Sequence, residues 1–167
     1  MRSAMTGRLG VKIHYGIKNL RSLKATPKIE IRPITILVGR NSAGKSTFLR
    51  SLPLLRQSIE TRSSAPILWW GDLVDFGDFA AAVNDGSKDQ QIVFSFRIED
   101  FQGIFKERYT GLLFQYNPAK KISVSDLQVD YAIGASGNKT MLNSIKVCIP
   151  SEEIEYEVFL SSVRHLT

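Results

Sequence analysis

The chain has 167 residues, enough for one ordinary domain with a core, and its 43% hydrophobic and 23% charged residues exclude a disordered tail. The only cysteine, Cys148, excludes an internal disulfide or a cysteine-based zinc cluster; no apolar run approaches the roughly 20 residues of a membrane helix. The net charge of +6 is uneven, with twelve Lys or Arg and a single acid, Glu30, in residues 1–56, against ten basic and fifteen acidic residues afterwards.

The basic first third attracts polyanions, either nucleotide phosphates or a nucleic-acid backbone; the alternative is a solvated positive face. No apolar stretch follows Arg2 and Arg8 to form a signal peptide, so a cytoplasmic protein without a membrane partner is expected.

Residues 11–20 and 29–31 read as short strands joined by a turn-like Lys24-Ala25-Thr26-Pro27-Lys28, and His14 is expected at the surface or edge of the first. After Pro33, Ile34-Thr35-Ile36-Leu37-Val38 is a continuous β-branched run of the kind buried on both faces of a sheet. It runs straight into Gly39. Past residue 46, Phe48, Leu52, Leu55 and Ile59 recur at three- and four-residue spacing and predict a helix with one apolar stripe; Pro53 should kink it or end it early.

Residues 61–66 are loop by composition, and Trp69 and Trp70 read as core and rim packing. Asp72, Asp75 and Asp78 are separated by bulky apolar residues and glycine, which suits a solvated turn better than a calcium loop. Residues 92–98 form a dense strand. Ile122 and Val124 alternate with serines, and Lys120-Lys121 reads as a strand-end pair. Period-two alternation returns at Leu127, Val129, Tyr131 and Ile133, at Ile145, Val147 and Ile149, and at Ile154, Tyr156, Val158 and Leu160. With a hairpin turn at Ala135-Ser136-Gly137-Asn138, this predicts an antiparallel meander. The fold class is α/β: strands, loop and helix in residues 1–60, a connection in 61–90, and an antiparallel β lobe in 91–167.

Between the buried run and the helix, Gly39-Arg40-Asn41-Ser42-Ala43-Gly44-Lys45-Ser46 matches G-x-x-x-x-G-K-[ST], the P-loop or Walker A pattern. Gly39 allows the sharp turn out of the strand, and Gly44 lets the backbone approach a phosphate closely. The amides from about Asn41 to Ser46 form a nest for the β-phosphate at a helix N-terminus, where the macrodipole favours anions. Lys45 is placed to bridge the β- and γ-phosphates, Ser46 offers a hydroxyl to Mg²⁺, and Thr47 reaches toward the α-phosphate. A guanine-reading Asn-Lys-x-Asp is missing, because Asn138-Lys139 is followed by Thr140 and Met141. ATP with Mg²⁺ is therefore the expected ligand.

On Lys18-Asn19-Leu20-Arg21-Ser22 and the G-x-N form of the loop, residues 17–52 resemble the N-terminal lobe of ABC-type ATPase heads. The nearest groups are the structural-maintenance-of-chromosomes and DNA-repair heads and the overcoming-lysogenization-defect type. Leu20 replaces the usual aromatic, and Ser42 stands where many members have Gly. Residues 69–77 are similar to a stretch of bacterial AAA-type ATPases with this head, some of which serve in phage defence beside a nuclease. The resemblance implies that Arg21 and Ser22 contact ATP and that a second head is the partner, with DNA and a nuclease effector downstream.

Hydrolysis in such heads uses an acidic motif, a signature and a switch histidine from the second half of the head. Here no apolar run ends in Asp-Glu: Asp75 and Asp130 are not followed by Glu, Ala135-Ser136-Gly137 lacks the second glycine, and His165 stands without strand context. No glutamine is recognisable as a Q-loop residue. The chain is expected to bind ATP as half a head in a larger ATPase and to need another lobe for turnover. The alternatives are a non-hydrolysing nucleotide-sensing subunit and a basic nucleic-acid-binding module.

Overall fold

The computed structural model describes residues 10–88, 90–100, 103–104, 123–137 and 139–160. Its spine is β1 (Lys12–Leu20), in which Tyr15 and Ile17 are buried on one face. β1 pairs antiparallel with β4 (Ile92–Glu99) from Lys12↔Glu99 to Lys18↔Val93. Along its other edge lie two short strands, β2 (Leu23–Ala25) and β3 (Ile29–Ile31). The turn is thus shorter than expected, because Lys24 and Ala25 belong to β2. Thr26 ends that strand by exchanging bonds with Ile17: each backbone N–H donates at 2.9 Å, to the other's carbonyl or to Thr26 Oγ1. His14 is not an edge residue either, since it lies between Glu30 and Arg97 and is half-buried.

Beyond β4 the alternating segments form the expected antiparallel meander of β7 (Leu127–Ser136), β8 (Lys139–Ile149) and β9 (Ile154–Phe159). β5 (Gly103–Ile104) and β6 (Ser123–Val124) pair separately as a two-stranded sheet. Ser136 pairs with Lys139 across the hairpin turn, where Gly137 has φ 58°. Asn138, Ile122, Lys120, Lys121 and His165 lie outside the described residues.

One helix covers the buried face of the sheet. α1 (Lys45–Glu60) continues through Pro53 for sixteen residues, so the proline does not end it early. Its buried residues are Phe48, Ser51, Leu54 and Gln57, whereas Leu52 is 37% and Ile59 85% exposed. Phe48 and Leu55 of the predicted stripe thus pack inward, whereas Leu52 and Ile59 do not. Polar side chains occupy the inner face because each finds partners there. The Tyr15 hydroxyl donates to Ser51 Oγ at 2.9 Å, and burial pushes the Tyr15 phenol well up, against the smaller effect of that bond. Tyr15 also meets the rings of Phe48 and Phe96 at 5.4 and 5.1 Å.

The segment after α1 closes the core with Ile67, Trp69, Val74 and Phe76, then the short α2 (Phe79–Ala82). Trp69 is buried, with Nε1 donating to Thr140 Oγ1, and Trp70 is exposed, matching the core-and-rim reading. Asp75 accepts from Gly77 N, Asp78 caps α2 through Ala81 N, and the described residues hold no cluster of three metal-ligating side chains.

Residues 34–38 do not form the expected strand. Ile34, Ile36 and Val38 are 82%, 78% and 91% exposed, and only Leu37 packs against the core. Both edges of β1 are occupied by β2, β3 and β4, and the run pairs with none of the sheet's strands. No helix among the described residues is long and apolar enough to cross a membrane.

Candidate nucleotide-binding site

The loop of residues 39–44 leads from the exposed run into α1. Gly44 is the helix N-cap, with a left-handed φ of 87° and no side-chain cap. A Cβ at Gly44 would sit 2.3 Å from Leu23 Cδ2 and 3.3 Å from Ser22 Oγ. A side chain at Gly44 would thus be strained by φ and would force the Leu23 side chain to shift, and the β1–β2 turn lies directly against the loop. Ser42 also has a positive φ, 63°, at the position where the resemblance places Gly in many members. Between these two, Ala43 N donates to Arg40 O at 3.3 Å and closes a turn.

Lys45 folds back across the loop. Its Nζ donates to Gly39 O at 2.7 Å and to Arg40 O at 2.5 Å, and its stem passes 3.9 Å from where a Cβ on Gly39 would lie. An ammonium group has three donors, so one remains for a ligand. Residues 39–43 are exposed, and no acid stands in the first turn of α1. The amides at the helix start have no intrahelical partner and carry the positive end of the macrodipole. Ser46 is exposed and Thr47 half-buried on that same turn. A magnesium ion takes few protein ligands beside phosphate and water, so the single Ser46 hydroxyl suits it.

Ser22 stands against the loop, its Oγ 3.3 Å from where a Cβ on Gly44 would lie, and Arg21 precedes it. The Arg21 backbone is left-handed at φ 48°, its N–H donates to Ala82 O at 2.7 Å, and its guanidinium lies 4.6 Å over the Phe76 ring. Arg50 lies over the same ring at 5.2 Å and donates to Asp75 O. The structure sets Ser22 against Gly44 at the head of α1, which carries Lys45, Ser46 and Thr47, and turns the Arg21 guanidinium to Phe76. It adds Leu23 beneath Gly44 and the segment after α2, where Asn84 Nδ2 donates to Arg21 O. In the sequence, Asn84-Asp85-Gly86 is only a turn-like run, and nothing local ties it to a residue 63 positions earlier.

No curated protein matches the chain. A family model described as an AAA ATPase domain matches residues 14–163, a span that includes the loop, both arginines and nearly the whole sheet. By that match the chain belongs to the AAA ATPase domain family, a domain that implies nucleotide binding.

Proposed function

We propose that the chain binds Mg-ATP through residues 39–47, as one lobe of an ABC-type ATPase head of the structural-maintenance-of-chromosomes or overcoming-lysogenization-defect kind. The observation that carries this reading is the open loop, with Lys45 braced across it and unpaired helix-start amides beside it. The backbone cup holds the β-phosphate, the free Lys45 donor reaches the γ-phosphate, and Ser46 orients Mg²⁺. Binding is this lobe's own contribution. Turnover belongs to a head completed by a second lobe that brings the acidic and signature motifs, with the γ-phosphate held between two heads. The exposed Ile34, Ile36 and Val38 support such a completion, because a β-branched run beside the loop is the surface a partner strand would cover. The basic residues of the first third support a DNA-directed effector, a nuclease in this reading, controlled by closure of the heads.

Calorimetry of Mg-ATP binding to Lys45→Ala tests the assignment. The variant is expected to lose at least about tenfold in affinity, roughly 1.4 kcal/mol, with the fold unchanged by circular dichroism. Wild-type affinity in the variant would refute it.

A further inference from the structure

A cavity of about 650 Å³ lies between the segment after α1, the start of α2 and the β7–β8 hairpin. None of its lining residues belongs to the 39–47 loop. Leu68 on its wall is held by the end of α1: its carbonyl accepts from Gln57 Nε2 at 2.7 Å, and its N–H donates to Ser58 Oγ at 2.9 Å. Gln57 stands twelve residues along the helix from Lys45, about 18 Å at 1.5 Å per residue, so the cavity and the loop are separate places. The walls are tied to one another. Trp69 Nε1 donates to Thr140 Oγ1 at 2.9 Å, Phe76 N donates to Trp69 O at 2.8 Å, and the Trp69 ring meets Phe79 edge-on at 6.0 Å. The cavity therefore needs no rearrangement to form, and its volume lies within the roughly 300–1,000 Å³ of small-molecule sites.

Two chemistries meet in it. Buried Ile67 and Trp69 and half-buried Phe79 make an apolar floor. Trp70 differs from them: it lines the cavity but is 69% exposed, although its backbone is fixed by a bridge to Asp75. An indole held in water on a fixed backbone presents a flat face on which another ring can stack. On the hairpin wall stands Lys139, whose ammonium group no ion pair or hydrogen bond engages among the described residues. Beside it in sequence, Thr140 Oγ1 already accepts from Trp69, which leaves its own proton to donate. The acid of the lining, Asp78, is on the α2 wall, where it caps the helix by accepting from Ala81 N at 2.8 Å. An anionic group is thus favoured on the hairpin side, and a planar ring at Trp70.

We propose that this cavity binds a small planar aromatic carboxylate, with the ring against Trp70 and the carboxylate at Lys139 and Thr140. Naphthalene-2-acetate tests it. The compound is titrated calorimetrically into the full chain, beside its neutral amide and the non-aromatic cyclohexylacetate. Both tryptophans of the chain line the cavity, so their two indole N–H resonances report occupancy directly in NMR. The wild type is expected to bind naphthalene-2-acetate with a Kd below about 1 mM, at least fivefold tighter than either of the other two compounds, and to shift both indole signals. Lys139→Gln should bind the acid and its amide equally. Trp70→Ala should lose about tenfold for the acid, and Trp70→Phe, which keeps a ring, should lose less. Lys139 and Trp70 are both exposed, so these variants keep the fold, as circular dichroism would show. Lys45→Ala should bind the acid as the wild type does. No binding by the wild type, equal affinity for the acid and its amide, affinity unmoved by Trp70→Ala, or affinity lost in Lys45→Ala would each overturn the proposal.

Discussion

Two independent demands meet at Gly44. Its φ of 87° carries a penalty of roughly 1–2 kcal/mol for a residue with a side chain. A methyl group there would also lie 2.3 Å from Leu23 Cδ2, an overlap that typically costs about 1–3 kcal/mol. Gly44→Ala should therefore destabilise the chain by about 2–5 kcal/mol in urea unfolding. Combining it with Leu23→Ala should recover the steric part and leave the backbone part, so the two changes would be non-additive in a double-mutant cycle. Strict additivity would mean that the loop and the β1–β2 turn do not touch. The fixed glycine was visible in the sequence as a phosphate-loop feature. Its contact with Leu23 was not, because the packing partner lies 21 positions earlier in an unremarkable strand. Ser42 shows the reverse: its departure from glycine was visible, and the structure supplies the left-handed φ that makes glycine common there.

At the scale of elements, α1 shows what periodicity can and cannot deliver. Its existence and length follow from the recurring apolar residues, but its rotation follows from Ser51 and Gln57, which are polar and buried. Hydropathy places such residues outside. Only the partners reveal why they are inside. Gln57 Nε2 donates to Leu68 O and Val74 O at 2.7 and 3.1 Å, while its Oε1 accepts from Leu73 N and Val74 N at 3.2 and 3.1 Å. One side chain thus ties the helix to the loop that carries Phe76, and through Phe76 to Arg21. Gln57→Ala would leave several buried backbone groups without partners, at roughly 1–3 kcal/mol for each that water cannot reach. A loss of about 3 kcal/mol is expected, with faster hydrogen exchange at the Val74 amide and unchanged protection in β1. Equal loosening of both elements would mean that Gln57 holds up the whole core rather than this loop. The strands were more legible than the helix, because each alternating segment of the meander finds antiparallel neighbours, although Tyr156, Val158 and Leu160 stay exposed where alternation predicts a buried face. The register shift between Ala132 and Ile133 was not, and Asn143, which lies against Gly134, is the residue it leaves unpaired between Leu142 and Ser144.

For the whole molecule, the informative disagreement is at residues 34–38. The sequence reads there as a strand buried on both faces, and the run joins none of the sheet's ladders. Ile34, Ile36 and Val38 face outward beside the loop, and Leu49, Leu52 and Ile59 line the outer side of the helix that follows. Burying a side chain of this kind is worth about 1.5–3 kcal/mol, so covering the first three alone would contribute roughly 5–8 kcal/mol to an assembly. Such a surface is more costly left in water than a scattered apolar residue, and it lies where the proposed second lobe would seat. Replacing Ile36 and Val38 together by lysine separates the possibilities. Because both side chains are already exposed, the unfolding free energy of the chain by itself should change by no more than about 0.5 kcal/mol per substitution. Light scattering across a concentration series should show reduced self-association, and pull-down of a completing ATPase lobe should fail, while Mg-ATP binding through Lys45 persists. A drop of several kcal/mol in the stability of the isolated double variant would instead place the run inside the chain's own core. The partner-facing role of this segment would then be abandoned.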